Sequence, residues 1–124
     1  MSLKVLYVED DPANRRLIYM IVEREKYEFH SANDGESGIA AAIELQPDVI
    51  LMDINLPGID GEEACLRLKA TEETQHIPII ALTARSMDGD RQHLLRMGFD
   101  EYIPKPINRL MLINTIQRTL RMRG

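Results

Sequence analysis

The chain has 124 residues, 44% hydrophobic and 28% charged, with a formal net charge of −5. That length suits one domain with its own core, the acidic balance argues against a nucleic-acid surface, and no apolar run approaches the roughly 18 residues a membrane span needs. No signal-peptide pattern opens the chain, so the expectation is a soluble, cytoplasmic protein. A single cysteine, Cys65, excludes an internal disulfide and reads as a small buried apolar residue. His30, His76 and His93 lack metal-ligand spacing.

In chain order, short apolar runs alternate with segments of helical period, the pattern of a doubly wound α/β domain. "LKVLYV" (3–8) predicts the first strand. Residues 11–26 predict a helix with Asp11 as N-cap and Pro12 at its first position. "YEFHSA" (27–32) predicts the second strand, and residues 34–46 a helix that ends before Pro47, because the residue preceding proline disfavours the α region. "DVILMD" (48–53) is the third predicted strand, followed by a helix over 61–71. The fourth strand is expected over 77–83, then a helix over 86–98 stopped by Gly98. "DEYIPK" (100–105) holds the fifth strand, where Pro104 removes a donor and predicts a short or edge strand. Residues 107–123 predict the last helix, with Arg118, Arg121 and Arg123 complementing its C-terminal end. Neither a linker nor a repeat interrupts the chain, so residues 1–124 read as a single domain with no second, output domain.

The polar residues that interrupt this pattern fall at strand ends. In "VILMDINLPGIDG" (49–61), Asp53 closes four consecutive apolar residues and precedes a loop marked by Pro57, Gly58 and Gly61. Glu9 and Asp10 follow the first strand, Thr83 the fourth and Lys105 the fifth. If all five strands are parallel, these ends share one edge of the sheet, where open α/β sheets bind ligands. Three carboxylates that close repel one another unless a cation holds them. Oxygen ligands without thiol or imidazole favour Mg²⁺. A carboxylate can attack phosphorus to form an aspartyl phosphate, and Mg²⁺ with Lys105 would supply the charge neutralisation such a transfer needs. The residues alone thus point to phosphoryl acceptance on a carboxylate.

Four segments, "VLYVEDD", "ILMDINLPGIDG", "IIALTA" and "YIPKPI", occur in an order and spacing that resemble the receiver domain of two-component response regulators over residues 3 to 120. The likeness is nearest to single-domain cell-division regulators and to receivers of hybrid kinases. It implies a flavodoxin-like, doubly wound sheet of five parallel strands in the order 2-1-3-4-5 with five helices. By position, Asp53 resembles the phosphoacceptor, Asp10 the direct metal ligand and Glu9 the acid that holds the metal through water. Asn55 matches the residue that gives a backbone carbonyl to Mg²⁺ or Mn²⁺, Lys105 the lysine that pairs with the phosphoryl group, and Thr83 the hydroxyl that moves onto it. The amides of Ile54 and Ala84 would complete the phosphate cradle, and Tyr102 matches the aromatic whose rotamer follows the threonine. The likeness also implies a cis Lys105–Pro106 bond. Glu9 stands where aspartate is frequent, and Arg85 falls near the site entrance.

The implied function is a cytoplasmic phosphoacceptor that assists its own phosphorylation and dephosphorylation without being an enzyme in the usual sense. Its partners would be a histidine kinase or histidine phosphotransferase and a downstream signalling protein, with no direct nucleic-acid or membrane contact. A native chain of this length would signal by binding partners, whereas an excised hybrid-kinase receiver would be an intermediate relay. An aspartate-nucleophile phosphatase of the haloacid-dehalogenase type usually carries a second aspartate where this chain has Asn55. A flavodoxin-like cofactor protein needs a Ser/Thr/Gly-rich loop after the first strand, and "EDDPANRR" is acidic there. A degenerate receiver, acting as an unphosphorylated binding module, normally lacks an acid or the lysine; all are present. The first helix carries two apolar stripes, Ile18, Ile21 and Val22 beside Ala13, Leu17 and Met20. The second stripe either widens the core face or forms a docking surface for a helical phosphodonor.

Overall fold

A computed structural model describes residues 2–84 and 88–123. Among them, β1 (Lys4–Val8), β2 (Glu28–Ala32), β3 (Val49–Asp53), β4 (Ile79–Thr83) and β5 (Glu101–Pro104) alternate with α1 (Pro12–Arg24), α2 (Gly35–Leu45), α3 (Gly61–Lys69), α4 (Asp88–Met97) and α5 (Arg109–Arg123). The strands form one parallel sheet in the order β2-β1-β3-β4-β5. This is the expected doubly wound architecture. None of the described helices is long and apolar enough to cross a membrane.

Successive strand residues point to opposite faces, and the unbroken apolar runs of β3 and β4 are buried on both. Leu6, Val8, Ile50, Met52, Ile79 and Ala81 pack on one face with α2, α3 and α4, through Ala42, Cys65, Leu68 and Leu94 among others. Val5, Tyr7, Leu51, Ile80, Leu82 and Ile103 pack on the other with Ile18, Ile21 and Val22 of α1 and Leu112, Ile113 and Ile116 of α5. Cys65 is buried as expected, and that burial pushes its thiol up to about 12.

The element ends show which local signals prevailed. Asp11 caps α1 by accepting from the Ala13 amide at 2.9 Å, with Pro12 in the first turn as predicted. Asp34, expected inside the second helix, lies outside it as N-cap, with Oδ1 accepting from the Ser37 amide at 2.8 Å. The last helix begins at Arg109 rather than 107, because Asn108 Oδ1 accepts from the Met111 amide at 3.0 Å and so caps it. The fourth strand begins at Ile79 rather than 77, since the Ile77 amide is committed to the Thr74 carbonyl of the preceding turn. The predicted start of the fourth helix falls on residues 85–87, outside the described residues. Gly98 ends α4 with φ +111°, its amide on the Leu95 carbonyl and the Phe99 amide on that of Leu94. β5 is both short and at the sheet edge, with Pro104 opposite Thr83, and the Lys105–Pro106 bond is cis.

Candidate functional site

β1 and β3 are the neighbours at which the strand order reverses, so their carboxyl ends frame the crevice where a doubly wound sheet binds ligands. Glu9 and Asp10 leave β1 there, and Asp53 is the last residue of β3. One carboxylate oxygen from each of the three lies within 4.8 Å of the others, with Glu9 and Asp53 buried and Asp10 exposed. Lys105, just beyond β5, reaches across β4 to place Nζ 3.2 Å from Asp53 Oδ1 and 3.6 Å from Glu9 Oε1. Its own amide donates to the Thr83 carbonyl at 2.8 Å, which fixes where its side chain leaves the sheet edge.

The buried carboxylates are held by specific donors. Glu9 Oε1 accepts from the Tyr7 hydroxyl at 2.8 Å and from Asn14 Nδ2 at 3.2 Å, while Oε2 accepts from the Asp11 amide at 3.3 Å. Arg15 Nη1 donates to the Glu9 carbonyl at 2.8 Å, tying the first turns of α1 to the acidic loop. Burial, then the hydrogen bond to Glu9, raise the Tyr7 phenol well above its ordinary range, so it remains a donor. Asp53 Oδ1 accepts from the Asn55 amide at 3.3 Å.

The loop after β3 is shaped by a close approach. Gly61, at the start of α3, donates its amide to the Ile54 carbonyl at 2.9 Å, and a Cβ there would lie 2.2 Å from the Asp53 carbonyl oxygen. Only glycine lets the helix rest this close to the strand end.

All of Glu9, Asp10, Asp53 and Lys105 thus converge as their positions in the sequence suggest. Thr83 is buried at the end of β4, one register step beyond the partner of Asp53. Ala84 is exposed just after it. Tyr102 is half-buried, opposite Ala81 on β4, packing against the α2–α4 side of the core and lining a cavity of about 590 Å³ with Glu101, Asn108 and Met111. Arg85 lies outside the described residues. The Ile54 amide, expected to face a phosphate, here donates to the Leu82 carbonyl at 3.1 Å and extends the β3–β4 ladder; the amide directed at Asp53 is that of Asn55. Tyr7 and Asn14 were not singled out by sequence reasoning as site residues. The available signal was the two-residue spacing of Tyr7 and Glu9, which puts both on one face of the strand line.

Chemically, the three converging carboxylates form an all-oxygen donor set that fits a hard divalent cation, and the adjacent lysine offers a second positive charge. Fold and site together define a doubly wound α/β domain that gathers acids and a lysine at the switch point of its sheet. The response regulator receiver domain family matches residues 5–117, and the chain belongs to that family. It is 40% identical over 120 residues to the polar-differentiation response regulator DivK of Brucella abortus, covering 97% of this chain and 98% of DivK. It is 37% identical over 123 residues to the response regulator PleD of Caulobacter vibrioides, covering 99% of this chain, which spans only 27% of PleD's length. Among solved structures, the receiver domain of the sensor histidine kinase PA1611 from Pseudomonas aeruginosa, with a magnesium ion in its active-site cleft, superposes with a TM-score of 0.89. It is 35% identical and the match covers 98% of this chain and 99% of that one. The chemotaxis response regulator CheY4 of Vibrio cholerae superposes with a TM-score of 0.90 at 28% identity, covering 96% of this chain and 99% of that one.

Proposed function

We propose that this domain accepts a phosphoryl group on Asp53 and changes partner binding as a result. The observation that carries the reading is the Lys105 ammonium 3.2 Å from Asp53 Oδ1, beside two further acids whose ligand atoms lie within 4.8 Å. Asp10 and Asp53 would hold Mg²⁺ or Mn²⁺ directly, with Glu9 acting through water and Asn55 through its carbonyl; the magnesium in the PA1611 receiver supports this. The bound cation supplies positive charge that offsets the phosphoryl oxygens. The free carboxylate oxygen of Asp53 attacks phosphorus as the P–N bond to a donor phosphohistidine breaks, and the imidazole departs with the bonding pair. Lys105 turns from the carboxylates to a phosphoryl oxygen, the Asn55 and Ala84 amides donate to others, and the Thr83 hydroxyl moves in. Tyr102 then rotates toward the space Thr83 vacates, a two-state packing change that alters the face formed by α4, β5 and the start of α5. A downstream signalling protein reads that face.

The donor is a histidine kinase or histidine phosphotransferase. Leu17 and Met20, the second stripe of α1, are 46% and 57% exposed rather than part of a wide core face. With Ile21 and Ile107 they line an apolar groove of about 480 Å³ on the α1/α5 side of the domain. Such a groove suits the helix of a phosphodonor. The reading is of a cytoplasmic signalling module with no direct nucleic-acid contact.

Intact-mass measurement after incubation with acetyl phosphate and MgCl₂ tests the assignment. Wild type should gain one phosphoryl group and Asp53→Asn none. Equal labelling of the two, or labelling that survives chelation of the metal, would refute it.

A further inference from the structure

We propose that Tyr7 is a positioning residue that fixes Glu9 for metal binding, giving a glutamate the rigidity that a shorter aspartate has on its own. The inference rests on the reading of the site as a divalent-cation-dependent phosphoacceptor. Glu9 has one more rotatable bond than aspartate, and each rotamer frozen on metal binding costs entropy. The protein freezes it beforehand. Tyr7 Oη at 2.8 Å and Asn14 Nδ2 at 3.2 Å both donate to Oε1, and Lys105 Nζ stands 3.6 Å from the same oxygen. Among the described residues, Oε2 has only the longer contact from the Asp11 amide, at 3.3 Å. Crowding the donors onto Oε1 leaves lone-pair capacity on Oε2, which is what accepting a hydrogen bond from a metal-bound water requires.

The clamp is itself rigid. Tyr7 is 1% exposed, in the core cluster that also holds Ile18, Leu51 and Leu82, so its ring has one place to be. Its position two residues before Glu9 aims the hydroxyl along the sheet toward the site. A buried phenol needs a partner, and Glu9 is that partner.

The arrangement also separates two demands on Glu9. Lys105 is shared with Asp53, so a phosphoryl group on Asp53 draws the ammonium away from Glu9. The Tyr7 and Asn14 contacts do not involve Lys105 and persist. Glu9 therefore keeps its orientation whether or not Asp53 is phosphorylated.

The test is an NMR titration with MgCl₂, following the amide shifts of Asp53, Ile54 and Asn55 in wild type, Tyr7→Phe, Asn14→Ala, Glu9→Ala and the Tyr7→Phe/Glu9→Ala double variant. Phenylalanine keeps the ring and removes only the hydroxyl. Tyr7→Phe should weaken Mg²⁺ about tenfold, the low end for losing a hydrogen bond to a charged group. Asn14→Ala should weaken it in the same direction by a smaller factor. In the Glu9→Ala background the Tyr7 substitution should change affinity by less than about twofold, because the group it acts through is gone; a general loosening of the core would persist there. A wild-type protein that does not respond to Mg²⁺ overturns the metal site and the proposal with it. A responsive wild type with unchanged affinity in both Tyr7→Phe and Asn14→Ala, or a Tyr7 effect undiminished by Glu9→Ala, overturns the role of Tyr7 alone.

Discussion

Replacing Lys105 with methionine would expose how the buried acids are held together before any phosphoryl group arrives. The ammonium lies 3.2 Å from Asp53 and 3.6 Å from Glu9, and at an effective dielectric of about 20 each contact attracts by about 5 kcal/mol gross. On the same footing, each pair of carboxylate oxygens, lying within 4.8 Å, repels by at least about 3 kcal/mol. These gross figures overstate the net effect, because the lysine gave up hydration to reach the site and its side chain remains 26% exposed to screening water. Removing one partner of a buried ion pair costs about 3 to 5 kcal/mol, and partial exposure places this one near about 3 kcal/mol. For 124 residues, with an unfolding entropy of about 2.1 cal/mol/K per residue, that is a fall in Tm of about 11 °C. Methionine preserves most of the stem, so little of the loss would come from packing. Calorimetric unfolding in a metal chelator should show this deficit. In saturating MgCl₂ the deficit should fall by more than half, since the cation takes over the neutralisation of Asp53 and Glu9. A deficit below about 1 kcal/mol in chelator, or one that is the same with and without Mg²⁺, would refute the claim that Lys105 holds the acid cluster together.

Two further outcomes follow from the geometry. Gly61→Ala puts a Cβ 2.2 Å from the Asp53 carbonyl oxygen and 2.8 Å from Ile54 Cα, so the backbone must give way at a cost of about 1 to 3 kcal/mol; the urea midpoint should drop and acetyl-phosphate labelling should slow, and an unchanged midpoint would contradict the close approach. Beryllofluoride, a phosphoryl mimic, should shift the NMR signals of Tyr102 and of residues 88 to 97 as well as those around Asp53, whereas changes confined to the neighbourhood of Asp53 would defeat the switch while leaving phosphoacceptance standing.

The architecture was legible because β3 and β4 are apolar on both faces, which suits buried parallel strands, and the Pro and Gly that follow β3 argue against the buried helix that so short a run could also be. The convergence of Glu9, Asp10, Asp53 and Lys105 was legible for the same reason: once the strands are parallel, their carboxyl ends must meet. What escaped depended on one-residue choices that no period encodes. Asp34 and Asn108 each sit at the first turn of a helical pattern, and whether such a residue caps or enters the helix is settled by the amide its side chain finds. The amide that meets the Asp53 carboxylate is set by the turn after β3, which sends Asn55 inward and commits Ile54 to the ladder. Both stripes of α1 read as apolar in the sequence. Ile18 packs beside the sheet while Leu17 and Met20 stay open, because what covers a helix face is decided by the neighbouring elements and not by its own composition.

The same logic explains why a hydrophobic strand ends on a charge. An ionised carboxylate in the middle of β3 would be surrounded by ladder groups already paired and by apolar side chains, with nothing to offset its lost hydration. At the last position of the strand the backbone leaves the sheet, and donors that do not belong to the ladder come within reach: the Asn55 amide at 3.3 Å and the Lys105 ammonium at 3.2 Å. Asp53 can therefore be 3% exposed at that boundary, where the apolar run fixes its position and the loops supply its partners. The acids of β1 add the complementary constraint. By crowding Asp53 from the other side they make the site incomplete without added positive charge, so the features that stabilise the carboxylate in place also prepare it for a cation and a phosphoryl group.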